Sequence, residues 1–163
     1  MNVNYHDEIK AIAARIRSLG GAREPFLLSD PLSKAPLFDR SGSIAGSATT
    51  TLASFNSTGY NVAINGFTPG FKLTWGDKFH IQYGASSDNF SFHEIAGDYT
   101  ANASGNFSNV EIFPYIPANV IAGTRIYFYK PAAKMIIYPD SFNPGSAAGL
   151  FTTGLTFKAI QKK

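Results

Sequence analysis

The 163-residue chain contains no cysteine. Disulfides, thiolate metal ligands and cysteine nucleophiles are excluded by that absence alone. Charge is scarce too. Asp, Glu, Lys and Arg make up 15% of the residues, and 14 basic against 11 acidic side chains leave a formal net charge of +3. Part of that surplus is Lys158, Lys162 and Lys163, and no basic run alternates with aromatics as a nucleic-acid groove would. No specific nucleic-acid partner is expected. No apolar run approaches the roughly 18 residues of a membrane-crossing helix, so no membrane partner is expected either. The opening Met1-Asn2-Val3-Asn4-Tyr5-His6-Asp7-Glu8 lacks the basic start and apolar centre of a secretory signal. The expected setting is a cytoplasm, or an assembly built there.

What is present favours strands. There are 15 Gly and 9 Pro, aromatics reach 14%, and this mixture suits strands and turns better than a helical bundle. Apolar residues, at 44%, are patterned, which argues against disorder. Length suggests a single β-rich domain over 1–163, large enough to bury roughly 70% of its unfolded surface.

Along the chain, Val3 and Tyr5 alternate with Asn2 and Asn4 as the end of a strand would. One amphipathic helix is expected over about 7–19. Ile9, Ile12, Ala13, Ile16 and Leu19 form its apolar stripe, Asp7 and Glu8 occupy its first turn, and Gly20-Gly21 stops it. Its apolar face should cover one face of the sheet. Residues 25–32 read as a short buried strand ending at Asp30-Pro31. Residues 40–59 are rich in Ser, Thr and Gly and read as a long loop or a loosely held edge.

The β core is expected over 60–161. Asn65-Gly66 and Gly76-Asp77 mark turns, residues 101–106 a hairpin tip, and Pro114 and Pro117 a strand end at an edge or rim. Residues 124–129 and 134–138 read as strands, 141–149 as a loop, and 150–160 as the last strand. Seven to nine strands and one helix imply a mainly β fold, an antiparallel β-sandwich or a partly closed β-barrel with an N-terminal amphipathic α-helix.

Reaction chemistry is hard to find. His6 lies near the N-terminus, while His80 and His93 lie in strands and could face each other across a hairpin, with Asp77, Glu94 and Asp98 nearby. No H-x-H or H-x-x-x-H pair exists, so no metal ligands are assigned. Ala103-Ser104-Gly105 has turn composition and is no nucleophile elbow. The few acids suit turns better than a glycosidase pair, and no Gly-rich loop opens a helix for a phosphate. No catalytic, cofactor-binding or metal-ligating residue is assigned, no cofactor is expected, and the chain reads as a non-enzyme. Asn56, Asn89, Asn102 and Asn106 open N-x-[ST] triplets, read here as turn residues.

The aromatics are the functional signal. Trp75, Phe79, Tyr83, Phe90, Phe92, Tyr99, Phe107, Phe113, Tyr115, Tyr127, Phe128, Tyr129 and Tyr138 exceed what one core needs, so some should be exposed. Exposed aromatics on a β domain serve either sugar stacking or a protein–protein interface.

The order of motifs resembles a family. A helix is followed by Gly20-Gly21-Ala22-Arg23-Glu24-Pro25-Phe26-Leu27-Leu28-Ser29-Asp30-Pro31-Leu32. Then come Gly76-Asp77-Lys78-Phe79-His80-Ile81, Ala101-Asn102-Ala103-Ser104-Gly105-Asn106 and Val110-Glu111-Ile112-Phe113-Pro114. Gly123-Thr124, Pro131 and a closing Gly154-Leu155-Thr156-Phe157-Lys158-Ala159-Ile160 complete the series. This resembles the distal-tail or baseplate structural proteins of long-tailed, siphovirus-like bacteriophages and prophages, over about residues 8–161. The resemblance implies a ring-forming virion subunit, a homo-hexamer between tail tube and tip hub, assembled in the bacterial host cytoplasm. Its implied partners are the tail tube, hub and tape-measure proteins. Two other readings stand beside it: a carbohydrate-binding β-sandwich that reads a host surface, and a phage head or head–tail connector protein.

Overall fold

The computed structural model describes residues 4–162, so the expectation placed on Asn2 and Val3 lies outside the described residues. Strand β1 (Asn4–Tyr5) leads into helix α1 (His6–Ser18), followed by β2 (Phe26–Ser29). A 3-10 turn (Leu37–Asp39) precedes the short helix α2 (Ser43–Ser47). Next come β3 (Thr51–Phe55), β4 (Asn61–Asn65), β5 (Lys72–Leu73), β6 (Lys78–Tyr83), β7 (Asn89–Ile95), β8 (Tyr99–Thr100) and β9 (Phe107–Phe113). The series ends with β10 (Ile126–Tyr127), β11 (Ala132–Ile137), β12 (Ser146–Ala148), β13 (Phe151–Thr153) and β14 (Ala159–Gln161). The fold is mainly β and antiparallel, with a helix at the N-terminus and no closed barrel among the described residues. Contacts divide the chain into two compact units, Met1–Leu27 with Lys134–Lys162, and Leu28–Ala133.

The unit over 28–133 holds a six-stranded sheet in the order β10-β6-β7-β9-β4-β3. Alternation sets its inner face: Val62 and Ile64 on β4, Phe79 and Ile81 on β6, Val110 and Ile112 on β9 are fully buried. Phe67, Phe71, Leu73 and Phe128 fill the space they enclose, with Phe67 stacked on Phe71 at 4.4 Å between ring centroids. On β9 an extra residue interrupts the alternation. The register steps from Val62↔Val110 to Ile64↔Phe107, and Asn109 takes the left-handed conformation at φ 58°.

The two edges of this sheet meet at one end. Leu52 N–H donates to Thr124 O at 2.9 Å, Gly123 N–H to Leu52 O at 2.7 Å, and Ile126 N–H to Thr50 O at 2.9 Å. The buried Thr50 hydroxyl adds a bond to Ile126 O at 2.7 Å. Because β10 is only two residues long, the seam stays short and the sheet is partly closed.

The other unit carries the three-stranded sheet β1-β13-β12 and most of the sheet β14-β11-β2. Helix α1 packs against β13 and buries Ile9 and Ala13. Its acidic first turn and basic last turn complement the backbone dipole as the sequence implies. Ile12 stays exposed, so the buried stripe is narrower than its apolar spacing suggests.

Several boundaries differ from expectation. The stretch 40–59 is not one loop, because it holds α2 and β3, and β3 is an edge strand of the six-stranded sheet, as the alternative reading had it. The reason lies upstream. The Asp39 carboxylate accepts from Ile44 N–H at 2.9 Å and Ala45 N–H at 2.8 Å, satisfying the first turn of a helix that its own sequence would not start. β2 is not buried: Leu27 and Leu28 are exposed. Of residues 124–129 only Ile126 and Tyr127 are strand, the length over which β10 pairs with β6. The expected loop 141–149 contains β12, and the expected last strand splits into β13 and β14. Gly149, at φ 62°, turns β12 into β13, and Gly154, at φ 78°, ends β13.

Candidate functional site

The titratable side chains that suggested chemistry serve the framework instead. In the β6–β7 ladder His80 faces Phe92 while His93 faces Phe79. Neighbouring strand residues point to opposite sides, so the two imidazoles do not face each other as expected. His80 lies in a ring stack, 4.8 Å from Tyr127 and 5.5 Å from Phe90, and its Nδ1 accepts from Ala132 N–H at 3.2 Å. His93 is fully buried against Phe79 at 5.0 Å, with Nδ1 2.8 Å from Pro114 O. A carbonyl only accepts, so Nδ1 is the donor in that bond. Burial pushes both imidazoles down from 6.5 to about 4; for His93 the bond to Pro114 partly opposes this.

The acids are likewise engaged. Asp77 accepts from Leu37 N–H and Thr74 N–H, each at 2.8 Å. Asp30 pairs with Lys78 Nζ at 2.9 Å. Burial raises the Asp39 carboxyl, but N–H bonds from Ala45, Ile44 and Ser43 and the Ser41 hydroxyl outweigh it and hold it below 3.8. Glu94 and Asp98 are exposed. Among the described residues no three His, Asp or Glu side chains are grouped to hold a metal ion. Asn102 Oδ1 accepts from Ser104 N–H and Asn106 N–H, the turn role expected of it.

Among the exposed apolar side chains of the unit over 28–133, two groups stand out. At the first, Tyr60 and Tyr115 meet edge-on at 5.9 Å, with Phe113 exposed at the end of β9. Their backbone is held rigid: Ile112 N–H donates to Tyr60 O at 2.8 Å and Ile116 N–H to Gly59 O at 2.9 Å. Gly59 permits the approach, since a Cβ there would lie 3.0 Å from Ile116 N and O. His93 holds the same segment through Pro114 O. This aromatic rim includes the Pro114–Pro117 region that the sequence marks as an edge.

The second place is a groove of about 360 Å³ between residues 31–40 and the turn before β6. Trp75, 69% exposed, and Leu32, 96% exposed, line it together with Ser33, Lys34, Arg40 and Asp77. The sequence singles out Trp75 but not Lys34 and Arg40, which lie more than thirty residues upstream and arrive through the Leu37–Asp77 bond.

The chain matches no protein-family model, and no curated protein matches it.

Proposed function

We propose that the chain is a non-enzymatic, ring-forming structural subunit of a phage distal tail or baseplate, joining tail tube to tip hub. The observation that carries this reading is the distribution of side-chain types. His80, His93, Asp30, Asp39 and Asp77 are absorbed by the framework, whereas Tyr60, Phe113, Tyr115 and Ile121 are exposed. Large apolar groups held outward on a rigid backbone suit protein contact. The motif order over residues 8–161 supplies the virion setting, and the tube, hub and tape-measure proteins as partners.

Native mass spectrometry and electron microscopy of the purified chain test the reading. The expected result is one defined oligomer, a hexameric ring. Phe113→Ser, at a side chain 66% exposed, should weaken it without lowering the melting temperature of the subunit. A monomer at high concentration, and also in virion extracts, overturns the proposal. A symmetric oligomer found at the head–tail junction would keep the structural role and move its place.

A further inference from the structure

The groove beside Trp75 has features that subunit assembly does not require. Its walls are set in place by the chain itself. Asp30 accepts from Lys78 Nζ and from Leu32 N–H, both at 2.9 Å, which anchors the start of the 30–40 segment. Lys34 O accepts from Lys130 N–H at 2.6 Å, and Leu37 N–H donates to Asp77 Oδ1 at 2.8 Å. Phe38 then packs edge-on against buried Phe71, with ring centroids 5.2 Å apart. A site prepared in this way spends little binding energy on ordering its own residues.

Its charge is one-sided. Lys34 and Arg40 line the groove, both exposed, and neither makes an ion pair among the described residues. The one lining carboxylate, Asp77, is 5% exposed and accepts from Leu37 N–H and from the N–H and hydroxyl of Thr74. The exposed lining is an indole, the apolar side chains of Leu32 and Leu37, and two cations. The volume is at the small end of ligand sites.

We propose that this groove binds a carboxylate-bearing sugar residue of a glycan. The pyranose C–H face lies on Trp75, and the carboxylate lies between Lys34 and Arg40. A neutral sugar would leave both cations unused. A nucleotide base is held best between two aromatic faces, and of the residues lining this groove Trp75 alone is aromatic. An extended acidic peptide gains most of its affinity by pairing with a strand edge, whereas these walls are turns. The inference stands apart from the assembly reading.

The test is titration of the full chain with tri-galacturonic acid and with sialyllactose, following emission from Trp75, the chain's one tryptophan. The expected result is a saturable change with at least one of them, weakened by added salt because exposed charges are screened. By calorimetry Trp75→Ala should abolish binding. Arg40→Gln should weaken it about tenfold, the loss of one charge-assisted contact. Both side chains are exposed, so melting temperatures should be unchanged; Trp75→Tyr, which keeps an aromatic face, should retain binding and guards against a folding defect. Flat titrations with both probes overturn the proposal. So does equally tight binding of neutral galactotriose, or tighter binding of tri-glutamate or AMP. Mass measurement on the same samples separates the two readings. A monomer that binds the probe overturns the assembly alone, and a ring with flat titrations overturns the glycan site alone.

Discussion

At the scale of single residues, the two strand histidines are the most consequential side chains that do no chemistry. Each is neutral in the native state because burial pushes it from 6.5 to about 4. Between those values the unfolded chain binds more protons than the folded one, so stability rises with pH across the window. The contribution of the neutral imidazoles is complete above about pH 6.5 and is lost as pH falls towards about 4. The melting temperature should therefore fall through this window, before Asp30 and Asp39, both held below 3.8, begin to titrate. Replacing both histidines by Gln should flatten the decline, and an unchanged slope would refute the assignment. Gly105 makes a second residue-scale case. It sits at φ 75°, and a Cβ there would run into the carbonyl oxygen of Phe67, whose N–H donates to Gly105 O at 3.1 Å. Gly105→Ala should cost about 2 kcal/mol or more, read from the urea midpoint.

At the scale of elements, the seam between β3 and the start of β10 decides how far the sheet closes. Thr50 is 1% exposed, and its hydroxyl donates to Ile126 O. Thr50→Val keeps the shape and removes that donor. It should cost about 1–3 kcal/mol in chemical denaturation, and a neutral result would mean the seam contributes little. Asp39→Ala should cost about 1–2 kcal/mol by uncapping α2. These two elements also mark what the sequence could and could not disclose. α1 was legible to within one residue at each end, because its stripe, its acidic start and Gly20-Gly21 are all local signals. The β core over 60–161 was legible as strands and turns, but the inner face of β9 does not follow simple alternation, because an extra residue at Asn109 shifts it. α2 was not, because its capping carboxylate lies outside the Ser/Thr/Gly stretch and its five residues have no stripe to read. β2 looked buried because Phe26, Leu27 and Leu28 are apolar, yet strand exposure depends on what covers the strand. The exposed Trp75 was foreseeable as one of too many aromatics, but its cationic neighbours were not, since only tertiary bonds bring them there.

At the scale of the whole molecule, the division into two units carries its own prediction. Helix α1 has 13 residues, a length that is marginal for an isolated helix in water. It packs on β13, and β1 pairs with β13. A chain cut after residue 133 should lose the helical circular-dichroism signal of α1 while the unit over 28–133 still melts cooperatively. Retention of the α1 signal, or loss of the cooperative transition, would show that the units are not separable in this way.

The pairing of β1 with β13 also bears on events at the ribosome. Helix α1 is synthesised early, yet the strand that buries Ile9 and Ala13 emerges only after residues 28–133 are complete. Closing so long a loop by chance costs on the order of 4 kcal/mol in chain entropy. The intervening unit can remove most of that cost by folding first. Its entering strand β2 and leaving strand β11 are neighbours in one sheet, so once they pair, two distant segments meet as if close in sequence. Nascent chains should thus pass through a stage in which α1 is still unprotected and available to a chaperone.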